Sequence, residues 1–235
     1  MRALPAVRDR AAAAALAVLC AAAVAAAPPA AAQPPAEPPP DAPAAEQPPA
    51  EPPPPTAWSW GLRAGLFEMV NAADSYDAVF GAPMPRVGLQ LEADWRRRWR
   101  FAASVDVGRV EGERVFLTDP PRGTGIDEEL TMVPVHLTAA WRFRPRQAWD
   151  VYAGLGPSFL SWKDETDFDS ESGSDFGGSV VTGVRRQPPA ARWRFGGELR
   201  WSTFPGALPD GGAARFFDED DPGGLSLTFL ALRGF

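Results

Sequence analysis

Between residues 87 and 95 every second side chain is apolar. Val87, Leu89, Leu91, Ala93 and Trp95 fall on one side of an extended chain, and Gly88, Gln90, Glu92 and Asp94 fall on the other. Such alternation marks a strand with one apolar and one polar face. It recurs in 99–107, where Trp99, Phe101, Ala103, Val105 and Val107 oppose Arg100, Ala102, Ser104 and Asp106. It recurs again in 192–201, with Trp193, Phe195, Gly197, Leu199 and Trp201 against Arg194, Gly196, Glu198 and Arg200. Eight such strands are predicted, near 57–67, 86–95, 99–108, 131–143, 149–161, 176–185, 191–203 and 225–235. The sixth has the weakest pattern, and no long amphipathic helix is predicted anywhere.

Alternation fits a soluble sandwich with its apolar face inward, or a membrane barrel with that face outward. The predicted polar face carries Arg63, Glu92, Asp94, Arg100, Asp106, Arg142, Asp150, Arg194, Glu198 and Arg200. A soluble sheet could leave such a face in water. Connection lengths separate the two. Short turns follow the second, fourth and sixth strands, at 96–98, 144–148 and 186–190, and longer connections follow the odd-numbered strands. Strict short–long alternation, with both ends of the barrel on the short-turn side, is the pattern of outer-membrane barrels. The fold class is therefore all-β: an eight-stranded antiparallel up-and-down transmembrane barrel over residues 57–235. The polar residues then become an interior network of matched arginines and acids. An eight-stranded barrel is just wide enough for side chains to fill.

The tryptophans support this. "WRF" occurs at Trp99–Phe101, Trp141–Phe143 and Trp193–Phe195, each beside a short turn. With Trp58, Trp60, Trp95 and Trp149 they place seven of the nine tryptophans (Trp58, Trp60, Trp95, Trp99, Trp141, Trp149 and Trp193) at one rim, and Trp162 and Trp201 near the other. Amphipathic indoles concentrate where hydrocarbon meets headgroups. The arginine run in "DWRRRWR", residues 94–100, then becomes a periplasmic turn capped by an aromatic girdle. A nucleic-acid patch is a poor alternative in a chain of net charge −7, because that function needs a broad basic surface.

The N-terminal region fixes the expected compartment. Arg2, Arg8 and Arg10 precede the apolar run 11–27, the layout of a secretory signal peptide. Ala30 and Ala32 offer an A-x-A site, so cleavage is expected after Ala32 and residues 1–32 are the leader. The lone cysteine, Cys20, would leave with it. Residues 33–56, built of proline, alanine and acids, cannot bury apolar surface and are expected to be an extended polyproline spacer.

The last strand, "LSLTFLALRGF", alternates Leu225, Leu227, Phe229 and Ala231 and ends on Phe235. It resembles the final strand of bacterial outer-membrane proteins, although Arg233 departs from their pattern. "VPVHLTAAWRF" followed by "DVYAGLGPSF" resembles the central hairpin of small OmpA-like and opacity-type barrels. The resemblance implies that Phe235 is an assembly signal read by the barrel assembly machinery. It carries no catalytic residue with it, and no appended peptidoglycan-binding domain is expected.

Candidate chemistry is sparse. His136, the only histidine, falls on the inward face with Met132, Pro134 and Thr138. Lipid A deacylases are barrels that use a histidine with a serine two residues later; Thr138 stands there instead, so a structural interior histidine is the reading. One histidine and no cysteine make a zinc site atypical. The glycines at Gly154 and Gly156 lie in a strand, make room for interior arginines and form no phosphate loop. Acids cluster at Asp164, Glu165, Asp167, Asp169, Glu171 and Asp175, and again at Asp218, Glu219, Asp220 and Asp221. Ser172 and Gly178 break a calcium loop, so both clusters are expected to be solvated loops, with weak divalent-cation bridging to lipopolysaccharide as their only chemistry. No cofactor is expected. The partners are outer-membrane lipids and lipopolysaccharide. The functional expectation is a structural or surface-interaction barrel with a closed, salt-bridged lumen. A small passive channel and a lipid A-modifying enzyme are the alternatives.

Overall fold

The computed structural model describes residues 57–96, 98–116, 122–143, 149–186, 192–208 and 217–235. The expected leader, 1–32, and spacer, 33–56, lie outside the described residues. The strands are β1 (Ala57–Met69), β2 (Met84–Trp95), β3 (Trp99–Phe116), β4 (Arg122–Arg142), β5 (Trp149–Thr166), β6 (Ser170–Arg186), β7 (Trp193–Thr203) and β8 (Gly224–Gly234). Each pairs antiparallel with its sequence neighbour, and β1 also pairs with β8, closing the ring. One short helix, α1 (Ala73–Val79), lies between β1 and β2.

Paired residues can be followed once round the ring. The path runs from Trp58 through Ala93, Phe101, Ala139, Leu155, Val180, Trp201 and Leu225, and returns to β1 at Glu68, ten residues along. That stagger tilts the strands and links barrel width to strand number. All the ring's residues on this path face outward; their immediate neighbours face the lumen.

The two faces invert the soluble rule. Leu155 is 67% exposed and Leu62 59%, while Arg63 and Arg200 are each 2% exposed. Apolar side chains cover the outer wall on every strand. A soluble monomer rarely exposes a continuous apolar patch beyond a few hundred Å². A lipid-facing barrel requires such a surface.

The expected bounds differ from the observed ones above the membrane. β3 continues to Phe116 and β4 begins at Arg122, so much of the expected connection 109–130 is strand. β5 runs to Thr166 and β6 begins at Ser170, so the expected loop 162–175 is a hairpin. Beyond the hydrocarbon no outward apolar face is needed, so alternation fades while the backbone ladder persists through Glu111↔Glu129 and Lys163↔Ser172. Polar cross-links replace it, including Arg109–Glu129 at 2.5 Å. The wall is consequently uneven: β3 to β6 have 17–21 residues each, and the other four strands 11–13.

Candidate functional site

The half of the lumen toward the short turns is an ion-pair lattice. Asp94 stands opposite Arg100 across the first tight turn and accepts from its Nε at 2.8 Å. The same carboxylate meets Arg142 at 3.1 Å and Arg194 at 3.3 Å. Asp150 takes Arg100 at 2.7 Å and Arg142 at 2.9 Å. Deeper in, Glu198 accepts from Arg200 at 2.7 Å, Arg63 at 3.2 Å and the Tyr152 hydroxyl at 3.0 Å. Asp106 meets Arg63 at 2.9 Å. Glu92 pairs with Arg185 and lies 3.6 Å from Arg100. Burial this complete is tolerable only because each charge meets opposite charges or hydrogen-bond partners.

Several groups of this lattice are not evident from alternation alone. Arg185 lies on the weakly patterned sixth strand, but counting back from the turn gives Ser179, Val181, Gly183 and Arg185 the inward parity. Tyr152 sits between two guanidinium groups, with Arg185 4.6 Å and Arg100 5.0 Å from its ring centroid. Its ring lies over Gly183, where an added Cβ would come within 2.4 Å of it. Gln90 accepts from Arg63 and donates to Glu92, linking two ion pairs. Six arginines thereby pair with five carboxylates. Arg86 has no carboxylate at ion-pair distance among the described residues; it lies 3.5 Å over the Phe67 ring and donates to Met132 Sδ at 3.7 Å.

The second turn departs from symmetric pairing. Phe143 opposite Trp149 would set Arg142 against Asp150, but the register sets Arg142 against Tyr152. The 2.9 Å bond from Arg142 to Asp150 is therefore diagonal. Arginine is long enough to span that offset, so the ion pair survives a register that a hairpin with symmetric pairing would not give.

The half toward the long connections holds an apolar cluster. Phe67, Met84, Met132, Leu160, Trp162 and Phe204 close it from within, and Tyr76 and Phe80 of the α1 region pack on them. Trp162 is therefore not part of an outer rim. It shares the inward parity of Ser158 and Leu160, is buried, and donates Nε1–H to the Ala207 carbonyl at 2.8 Å.

The acidic segment near Asp221 is a latch as well as a surface. Glu219 accepts from the backbone N–H of Asp74 at 3.1 Å and of Ser75 at 2.9 Å, at the start of α1. Asp221 accepts from the Asn71 amide at 2.7 Å, from the N–H of Phe204 at 2.6 Å and of Gly223 at 2.8 Å, and from the Thr203 hydroxyl. Two carboxylates thus hold α1 and residues 203–204 together over the apolar cluster. A solvated-loop reading misses this because all but one of the partners, Gly223, lie remote in sequence.

At the opposite rim Trp58, Trp60, Trp95, Trp99, Trp149 and Trp193 are exposed on the outer face, and Trp141 is partly so. Trp99 meets Trp141 edge-on with centroids 5.1 Å apart. Phe235 is exposed beside them, its N–H donating to the Trp58 carbonyl at 3.2 Å. His136 is 2% exposed inside the lumen, with Nδ1 2.7 Å from Ser158 Oγ. Among the described residues no cluster of three or more histidine, aspartate or glutamate side chains is placed to hold a metal.

No protein-family model and no curated protein matches the sequence. By structure the chain is similar to Ail, the attachment invasion locus protein of Yersinia pestis, at 15% identity and a TM-score of 0.46, over 76% of this chain and 96% of that one. It is similar to Neisserial surface protein A at 12% identity and a TM-score of 0.47, over 77% and 96%. It is also similar to OprG of Pseudomonas aeruginosa at 9% identity and a TM-score of 0.47, over 77% and 95%. The closed ring of eight strands, the apolar outer wall, the tryptophan rim and the charged interior together identify the fold as a small eight-stranded outer-membrane β-barrel.

Proposed function

We propose that this protein is a non-enzymatic barrel of the outer membrane whose lumen stays closed and whose uneven extracellular rim is its working surface. The observation that carries the reading is the doubly filled interior: an ion-pair lattice below and an apolar cluster above. A water-filled pore does not need six arginines interlocked with five carboxylates, nor a layer of Phe, Met, Leu and Trp across its mouth. The tall wall of β3 to β6 and the latched α1 region are what a partner outside the cell would meet. The leader and the proline-rich arm, 1–32 and 33–56, fit export and a periplasmic spacer, and Phe235 fits recognition by the assembly machinery.

An enzymatic reading has one candidate, the His136–Ser158 pair. Its burial in the lumen argues against reaction with lipid, because no acyl ester outside the wall comes within reach of Ser158 Oγ. Planar-bilayer recording tests the proposal. Wild-type protein is expected to give no stable open level, and a reproducible long-lived conductance would replace it with the passive-channel reading.

A further inference from the structure

We propose that the rim around the first periplasmic turn is a binding site for one anionic diacyl phospholipid of the inner leaflet. The headgroup is held by Arg96 and Arg98, and an acyl chain lies in a groove of the outer wall.

Trp95 pairs with Trp99, and the turn between them carries Arg96 and Arg98, both exposed. Arg96 has φ of +49°, a conformation that favours glycine, and Arg98 donates its N–H to the Arg96 carbonyl at 2.8 Å. The Arg96 guanidinium lies 4.3 Å from the Trp95 ring centroid and that of Arg98 5.4 Å from Trp141, so both are drawn to the lipid-facing side of the rim. The neighbouring carboxylate, Asp94, points into the lumen and is already shared among Arg100, Arg142 and Arg194. Among the described residues neither Arg96 nor Arg98 has an ion-pair partner. Two guanidinium groups at headgroup depth therefore face the membrane with no carboxylate partner among the described residues, and a phosphate suits their donor geometry.

The apolar side lies directly above. One outward step in from the tryptophans, the wall sinks into a groove of about 510 Å³. Ala93, Ala103 and Ala139 form its floor, and Trp58, Phe101 and Leu155 stand round it. A second groove of about 380 Å³ continues it past Leu89 and Val105, with Leu91 and Ala103 common to both. From Trp95 to Leu89 is six residues, or roughly 20 Å of strand. At a tilt near 40° this descends about 15 Å, which is half of a hydrocarbon core of roughly 30 Å. On β2 the two grooves are lined from Ala93 to Leu89, and the Trp95–Trp99 pair, one outward step from Ala93, lies between them and the arginines; rim and grooves together thus run the depth of one leaflet. That combination fits a lipid with a net negative headgroup and fits neither a free anion nor a soluble peptide.

The proposal rests on the membrane placement stated above. The test is native mass spectrometry of the full-length protein, released from micelles doped equally with phosphatidylglycerol and phosphatidylcholine of identical chains. Wild type is expected to retain phosphatidylglycerol roughly tenfold over phosphatidylcholine, on the scale of basic side chains at an anionic surface. The double variant Arg96→Gly/Arg98→Ala, whose glycine suits the local backbone, is expected to retain both equally. Ala103→Phe, which fills the groove and leaves the charges in place, is expected to lower retention of both. Equal retention by wild type, an undiminished preference in the double variant, or unchanged retention by Ala103→Phe overturns the site. Displacement of phosphatidylglycerol by inorganic phosphate overturns the diacyl assignment, and a lipid-free dimer assigns the groove to a second copy. A chain that stays dispersed without detergent fails the membrane placement itself, which separates that failure from this one.

Discussion

Glu92 of β2 and Arg185 of β6 form an ion pair across the lumen, between strands that are not neighbours in the ring. Arg100 lies 3.6 Å from the same carboxylate, and Gln90 donates to it. The pair thus joins opposite walls that share no backbone hydrogen bond. Removing the carboxylate leaves Arg185 buried and uncompensated. Glu92→Ala is expected to lower the unfolding free energy by about 3–5 kcal/mol. Glu111→Ala, which removes a solvent-exposed partner of Arg109, is expected to cost less than about 1 kcal/mol. Urea unfolding of the barrel in lipid vesicles measures both.

The latch should fail locally. Asp221→Ala removes an acceptor shared by Asn71, Thr203, Phe204 and Gly223. Losing the partner of buried donors costs about 1–3 kcal/mol. Amide exchange in residues 70–80 is therefore expected to accelerate about tenfold or more, while exchange in 87–95 and 99–107 stays as in wild type. Uniform acceleration along the barrel would show that Asp221 supports the whole ring.

A pH response is expected above the membrane. Spanning takes about 9–11 residues, so counting from Trp149 places Asp164 beyond the hydrocarbon. Burial, and then the Glu128 carboxyl beside it, raises its pKa from 3.8 to about 7. The folded pKa exceeds the unfolded one, so the proton stabilises the fold. That contribution is full below about pH 4 and is lost as pH rises through about 7. Amide protection at the paired ends of β4 and β5 is expected to be greater at pH 5 than at pH 8. Asp164→Asn should remove the difference.

His136→Ala and Ser158→Ala separate structure from catalysis. Each breaks the 2.7 Å contact inside the lumen and is expected to lower thermal stability. Mass spectra of lipid A from cells expressing wild type or either variant should be identical to those of cells without the protein. A wild-type mass shift abolished by both substitutions would install an enzyme.

The tip of the β5–β6 hairpin fixes orientation. Thr166 and Asp169 close it through a 2.9 Å backbone bond, and Asp167 and Glu171 are exposed nearby. A protease specific for acidic residues, added to intact cells, should cut there. Cleavage that appears only after the outer membrane is permeabilised would turn the barrel over.

Period two made the spanning part of the barrel legible, because lipid on one side and a charged lumen on the other impose opposite demands on adjacent residues. Val87 to Trp95 shows both demands without interruption. Above the membrane only one remains, and "RVEGERVF" in β3 carries polar groups on both faces, so its strand was invisible. The register at the first turn follows from Trp95 and Trp99 closing three residues. The second turn does not follow, since the sequence says nothing of the offset that puts Arg142 beside Tyr152. Which way a charged side chain faces can thus be counted from the strand. Which partner it takes depends on how far the other wall stands, and Arg185 and the latch residues Glu219 and Asp221 emerge only from three-dimensional closure.

The cross-lumen contacts also bear on how long the protein lasts once made. Arg185 reaches Glu92 across the lumen, and Arg63 of β1 reaches Glu198 of β7 across the β1–β8 seam, only when the sheet has curled into a ring; a flat or half-closed sheet holds these groups apart. Interactions absent until the final closing step add little to the speed of assembly. They raise the barrier to leaving the native state instead. A seam opened at β1 and β8 would bring guanidinium and carboxylate groups into contact with hydrocarbon before any strand had left the membrane, so escape is slow even where the equilibrium margin is small.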